Sequence, residues 1–377
     1  MHPEPVGTGE GGDRVLAVCL NPALDVTYEI DALRRGTTHR VRRVHARAGG
    51  KGVNVARVLA RLGVPVVVAG FAGGATGRFI ETSLSEAGFD TRWVWVDGET
   101  RRCLAVVEQG GTEATAAGGI ATEFNEPGPE ISPASWQQFT SRFEEWMRRE
   151  GFAAVILSGS LPPGLPPDAY ARLIELARAA GVPAVLDTSG EALRRGIAAA
   201  PCIVKPNLRE LGDLLGAGAL DEAVASDQAP GQGPGAWPVD ADVAGDAGGV
   251  DEPPPLARQV ARAAEALRAA GPETVVVSMG AGGVVAATAG GTWWARAPVL
   301  RGNPVGAGDA LVAALVHGGL QGWAWPDRLA HAAAVAAAAV ASPVAGDFVA
   351  DVYARLRDRV HVQALSSGSP GGTGSSR

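Results

Sequence analysis

Short, unbroken apolar runs recur along this chain, each followed by a glycine-rich or polar loop and then by a helix-like pattern. Residues 14–20, 64–69, 153–157, 182–186 and 274–277 are such runs. A strand that is apolar on both faces has to be covered on both, as in a parallel sheet held between two layers of helices. The alternation therefore predicts an α/β fold: a doubly wound, mostly parallel sheet flanked by helices. In open sheets of this kind the ligand crevice lies at the carboxyl ends of the strands. The loops that follow the runs are where function should be sought.

Amphipathic patterns predict helices over 136–149, 168–180, 256–270, 327–341 and about 348–359. Residues 26–30, 41–46, 93–96, 102–109 and 112–124 instead alternate like short half-buried strands, with Asp97-Gly98 signalling a hairpin between the third and fourth. These segments, about 26–46 and 93–125, are expected to form a small side sheet. The alternative is an edge extension of the main sheet. Residues 218–255 are rich in Gly, Ala, Pro and Asp and read as a disordered insertion. Residues 1–13 and 366–377 read as disordered tails, which leaves one α/β domain over 14–365.

Three loops carry chemistry. In Gly302–Leu315 a Gly/Pro turn passes at Asp309 into an Ala/Leu/Val-rich helix. Gly306, Ala307 and Gly308 leave backbone N–H groups uncovered at that N-terminus, where an anion binds. Asp309 beside such an anion site can take a proton from a hydroxyl attacking phosphorus; the plain alternative is an N-cap carboxylate. In Arg47–Gly63, glycines at 49, 50 and 52 precede an amphipathic helix, with Lys51 flanked by glycines and Asn54 in the first turn. It is no Walker A loop, because Gly52 follows Lys51 where Ser or Thr would stand. In Cys202–Leu211 a strand delivers Lys205, and Asn207 and Glu210 share a helical turn. That pair can hold a hydrated Mg²⁺, or it is an N-cap and its capping-box partner. Asp25, after the first strand, is either a substrate-hydroxyl ligand or a turn aspartate. The glycine turn 278–283 invites a dinucleotide reading, but Val285 stands at the third glycine position.

Only Lys51 and Lys205 among the 33 basic residues are lysine, and asparagine occurs only at 21, 54, 125, 207 and 303. All seven fall in stretches already singled out. Arg cannot replace a compact ammonium at a phosphate. A net charge of −7 argues against a general nucleic-acid binder. Three cysteines make no disulfide framework and fit a reducing cytoplasm. No stretch reads as a membrane span, and residues 1–13 lack a signal-peptide core.

Asn303–Asp309 resembles the C-terminal signature of the phosphofructokinase-B sugar kinases, which have the ribokinase-like fold; the family usually has Thr near Pro304 and Val305. Arg47–Gly63 is similar to the N-terminal signature of the same family, and Thr122–Pro129 resembles its 1-phosphofructokinase and tagatose-6-phosphate kinase branch. The resemblance covers about 14–360 apart from the insertion. It implies an ATP- and Mg²⁺-dependent phosphotransferase with an alcohol acceptor, acting in the cytoplasm. The implied base is Asp309, with Gly306, Ala307 and Gly308 as the anion hole. The sugar end would hold Asp25, Gly49, Gly50, Lys51, Asn54, Arg101 and Ser158. Lys205, Asn207, Ser278, Gly280 and Gly283 would border the nucleotide, and Asn207 with Glu210 would arrange the metal. The side sheet becomes a lid, often a homodimer surface. The implied substrate is a phosphorylated ketohexose, fructose 1-phosphate first, then fructose 6-phosphate or tagatose 6-phosphate, with Lys51 and Arg101 converging on its phosphate. Arg102 and Cys103 depart from the branch. An unphosphorylated sugar as substrate, a sugar- or nucleotide-binding regulator without catalysis and a dinucleotide oxidoreductase are the other readings.

Overall fold

The computed structural model describes residues 14–108, 121–216, 253–300 and 302–365. The two tails and nearly all of the 218–255 insertion lie outside these residues, as does residues 112–120 of the expected 112–124 strand. In chain order the first half contains β1 (Val15–Cys19), β2 (Ala23–Ile30), β3 (Arg43–Gly49), α1 (Lys51–Arg61), β4 (Val66–Ala72), α2 (Gly74–Glu86), β5 (Asp90–Trp95), β6 (Arg102–Glu108), β7 (Ala121–Asn125), α3 (Pro133–Arg149), β8 (Ala154–Ser158), α4 (Ala169–Ala179) and β9 (Ala184–Asp187). There follow α5 (Gly190–Ala198), β10 (Ile203–Val204), α6 (Leu208–Leu215), α7 (Pro255–Arg268), β11 (Thr274–Ser278), β12 (Val284–Thr288), β13 (Gly291–Arg296), α8 (Ala307–Leu320), α9 (Trp325–Val340), α10 (Ala350–Arg357) and β14 (His361–Ala364).

The main sheet has ten strands in the order β14-β13-β12-β11-β10-β9-β8-β1-β4-β5. From β11 to β5 every pairing is parallel, while β12, β13 and β14 join antiparallel. The unbroken apolar runs have the expected cause. In β1, Val15, Ala17 and Cys19 face one core while Leu16 and Val18 face the other. The first core is covered by α1, α2, α8, α9 and α10, and the second by α3 to α7.

Residues 293–297 read as a short strand and form most of β13, but two strands escape a reading of the sequence. β12 follows directly on the 278–283 glycine turn and looks like its continuation. β14 is four residues long and half-exposed, so it lacks a buried run.

The side sheet exists, as four strands in the order β3-β2-β6-β7, but its membership differs from the expectation. In the segment at 93–96, the residues through Trp95 belong to β5, at the edge of the main sheet and parallel to β4. Trp93 and Val94 are buried on opposite faces, which only the sandwiched main sheet provides. Asp97-Gly98 turns the chain but makes no hairpin. The chain from 96 to 100 is held against the start of α2, where Gly73 accepts from the Thr100 amide and Thr100 Oγ1 accepts from the Gly73 amide. A Cβ on Gly73 would lie 2.6 Å from the Gly98 carbonyl oxygen, so only glycine permits this approach. The Glu99 carboxylate accepts from the amides of Ala75 and Thr76, capping α2. The chain then enters β6, parallel to β2.

Candidate active site

The loops after β1, β8, β9, β10 and β11 meet the N-termini of α1 and α8 at the carboxyl ends of these central strands. Gly50, at φ 93°, turns the chain from β3 into α1, and Gly306, at φ 85°, turns it into α8. Both are left-handed positions that favour glycine. Asn54 and Asp309, each in a first helical turn, are thereby brought together: Asn54 Nδ2 donates to Asp309 Oδ2 at 2.9 Å, with both residues buried. Burial pushes the Asp309 carboxyl up to about 7; Asp187 adds to the rise, while Lys51, the Asn54 hydrogen bond and Lys205 oppose it. A carboxylate titrating near neutrality suits a general base.

Lys51 and Lys205 both reach Asp187, at the end of β9, a residue that the sequence does not single out. Lys51 Nζ lies 3.4 Å and Lys205 Nζ 3.2 Å from the same oxygen, Oδ1. Asp187 is fully buried, yet the two ammonium groups hold its carboxyl below the usual range against the opposing effect of burial. Asp187 in turn raises the Lys51 ammonium. Its one sequence signal was its place at the carboxyl end of a buried strand. Ser158, expected at the sugar, is fully buried at the end of β8, and its hydroxyl donates to Asp187 Oδ2 at 3.5 Å.

The anion-binding turn is partly committed. The Ala307 amide donates to the Pro304 carbonyl at 3.1 Å, so of the three expected donors this one is occupied within the turn. Gly308 faces Lys205: a Cβ there would stand 3.6 Å from its Nζ and occupy the space between helix and ammonium. That space, with two lysines and a helix N-terminus around it, fits a phosphate chain.

At the end expected to meet the sugar, the Asp25 carboxylate lies over Gly49, where a Cβ would fall 1.9 Å from Oδ2. Burial raises the Asp25 carboxyl to about 6, while the Gly50 amide, which donates to it, and Arg101 oppose the rise. Arg101 is anchored farther out: Nε donates to the Asn21 carbonyl at 3.2 Å and Nη1 to the Glu126 carbonyl at 3.4 Å. Asn21 Nδ2 donates to the Pro127 carbonyl at 3.0 Å and to Ser160 Oγ at 3.2 Å, tying Thr122–Pro129 to the site. Lys51 and Arg101 share no partner. Lys51 is held with Lys205 on Asp187, and Arg101 on the Asn21 and Glu126 carbonyls.

Asn207 and Glu210 form a reciprocal capping box: Asn207 Oδ1 accepts from the Glu210 amide at 2.8 Å, and Glu210 Oε2 accepts from the Asn207 amide at 2.9 Å. One Glu210 oxygen is thus engaged within the helix. Among the described residues no three His, Cys, Asp or Glu side chains group as a metal site. This pair fits only a cation that keeps most of its waters, as Mg²⁺ does. Ser278 ends β11 and bridges to Asn207, which brings the 278–283 turn beside α6. Gly280 opens a 3-10 turn over Gly280–Gly282. Gly283 is required by packing as well, since a Cβ there would fall 2.3 Å from the Ala295 carbonyl oxygen. Among the described residues no helix is long and apolar enough to cross a membrane.

A family model described as pfkB family carbohydrate kinase matches residues 17–239 and 255–350. Among solved structures, a protein described as a possible 1-phosphofructokinase of Thermotoga maritima superimposes with a TM-score of 0.71 at 25% identity, covering 94% of this chain and 100% of that one. Phosphofructokinase-2 of Escherichia coli, solved in complex with fructose-6-phosphate, gives 0.72 at 24% identity, covering 92% and 98%. A carbohydrate kinase of Agrobacterium tumefaciens gives 0.65 at 20% identity, covering 94% and 100%.

Proposed function

Because the chain belongs to the pfkB family of carbohydrate kinases, we propose that it transfers the γ-phosphoryl group of ATP to a hydroxyl of a phosphorylated ketohexose, fructose 1-phosphate first. The observation that carries this reading is the convergence on one cleft of a buried carboxylate titrating near 7, a glycine-lined helix N-terminus and two lysines held on one buried aspartate.

Asp25 and the backbone at Gly49 and Gly50 orient the sugar hydroxyls. Asp309 takes the proton of the attacking hydroxyl as its oxygen approaches phosphorus. The Gly306 and Gly308 amides, with Lys51 and Lys205, face the charge on the phosphoryl oxygens. Asp187 keeps the two ammonium groups from repelling each other and fixes where they point. Asn207 and Glu210 would hold Mg²⁺ through water, and the metal supplies charge neutralisation on the phosphates. The 278–283 turn borders the nucleotide.

Arg101 is the cation left for the substrate's own phosphate, since Lys51 is engaged beside Lys205. The lid sheet exposes Val44 and Phe124, which suits a homodimer through that face. ATP as the donor suits a protein of the cytoplasm. Fructose 6-phosphate is the second reading, because a solved relative binds it.

The test is kcat/KM for fructose 1-phosphate, fructose 6-phosphate and tagatose 6-phosphate against fructose, ribose and adenosine with ATP and Mg²⁺. Arg101→Ala should raise KM for the phosphorylated sugar about tenfold or more, the effect of losing a charge-assisted hydrogen bond. A neutral sugar as best substrate, or an unchanged KM in the variant, overturns the assignment.

A further inference from the structure

We propose that Arg47, on lid strand β3, is a positioning residue that ties the lid to the catalytic base through the Ala345–Gly346 turn. The inference rests on Asp309 as that base. Arg47 Nη1 donates to the Ala345 carbonyl at 3.0 Å across 298 residues of chain. The half-buried guanidinium stands opposite Asp25 in the β2–β3 register; Asp347 and Asp25 attract it, and the neighbouring Arg57 guanidinium of α1 repels it.

The turn held in this way is wedged between the two halves of the site. On one side a Cβ added to Gly346 would stand 3.0 Å from both Cα and Oδ1 of Asn54, the residue whose amide binds Asp309. On the other side a Cβ added to Gly306 would stand 2.9 Å from Ala345 Cβ and 3.2 Å from the Gly346 nitrogen. No slack is left between the turn, the anion-site glycine and the partner of the base. At its far end, Asp347 is paired with Arg61 of α1 at 3.1 Å. A displacement of Ala345 is therefore passed to Asn54 and Gly306 together, since close-packed groups transmit shifts rather than absorb them.

Arg47→Ala, Arg47→Lys and Gly346→Ala are compared by kcat, KM, the pH profile of kcat and Tm. Arg47→Ala should lower kcat about tenfold or more, since small misplacement of reacting groups is costly, with KM for ATP held within about twofold. It should also move the acid limb of kcat upward by about half a pH unit, because a looser Asn54 bond stabilises the Asp309 carboxylate less. The charges facing Asp309 are Lys51 from α1, Asp187 from β9 and Lys205 after β10, and none of them is altered. Only one guanidinium nitrogen is used at Ala345, so Arg47→Lys should restore most of kcat and return the limb. Gly346→Ala, strained at φ 74° and pressed on Asn54, should move the limb from the other end of the contact.

An Arg47→Ala enzyme with lower Tm but an unmoved acid limb means a merely structural arginine and overturns the proposal. So does a raised KM for the sugar with the limb in place, which puts Arg47 on the substrate. Failure of the base assignment itself would show separately, as a near-normal rate in Asp309→Asn.

Discussion

Asn54 and Asp309, 255 residues apart in the chain, share a 2.9 Å hydrogen bond in which both side chains are buried. Each sits in the first turn of a helix that starts from a left-handed glycine, so two helix N-termini point at the same place. Their positive ends favour anions, and burial alone would keep the carboxyl protonated.

Asp309→Asn should lower kcat by about 10²–10⁴, the range for lost acid–base catalysis, and leave ATP binding intact. The same substitution should stabilise the fold. A carboxyl raised from the ordinary 3.8 to about 7 binds its proton more tightly folded than unfolded. Its contribution thus weakens stability as pH rises from about 4 to about 7 and stays constant above, by at most about 4 kcal/mol. Tm of the variant should exceed that of the wild type at about pH 8, and the gain should vanish towards about pH 4. An equal Tm at both would mean that Asp309 titrates normally.

Gly308→Ala separates folding from phosphate handling. The new methyl would meet Lys205 Nζ at 3.6 Å, an ordinary contact, and it replaces a helical glycine. Tm should hold or rise, by about 0.5–1 kcal/mol of stability. kcat should fall about tenfold or more, because the methyl occupies the space the phosphoryl oxygens need. Undiminished kcat would remove this cradle from the mechanism.

Asp187→Asn leaves Lys51 and the buried Lys205 side by side without their shared counter-charge. The loss should be on the order of 3 kcal/mol, as for other broken buried pairs, and KM for ATP should rise. The Asp187 carboxyl is depressed below 3.8, so its stabilisation is complete above about pH 4 and disappears as pH falls through the lower folded value. Chemical denaturation of both proteins from about pH 8 down to about pH 3 would show a constant gap that closes only at the acid end. A gap that widens in acid would contradict the pairing.

Glu210→Gln keeps an oxygen able to accept from the Asn207 amide but removes the charge. Helix α6 should keep its stability while the Mg²⁺ concentration needed for half-maximal rate rises. Glu210→Ala should in addition cost about 1 kcal/mol for the lost cap. Unchanged Mg²⁺ dependence in Glu210→Gln would leave the capping box as the residue's whole role.

The sequence by itself determined the architecture and marked the loops that form the candidate site. Val15–Cys19 is apolar at every position because both faces are covered, and such a run says so without reference to any partner. Glycines at 50 and 306 mark turns that no side chain would permit, and the helices that follow are legible from their local pattern. The tertiary structure decided everything that depends on which distant segments meet. Trp93–Val96 alternates like a lid strand, but alternation reports how faces are buried, not which sheet supplies the neighbour, and β4 claims it. Lys51 and Arg101 look equally free in sequence. Asp187, 136 residues beyond Lys51, draws the lysine to Lys205 and leaves Arg101 with Asn21. Arg47 meeting Ala345 has no local signature either. Periodicity and turn chemistry are properties of a few consecutive residues, whereas the charge around Asp309 is assembled by the packing of two helix ends at the carboxyl ends of the central strands, and no short stretch of chain contains that information.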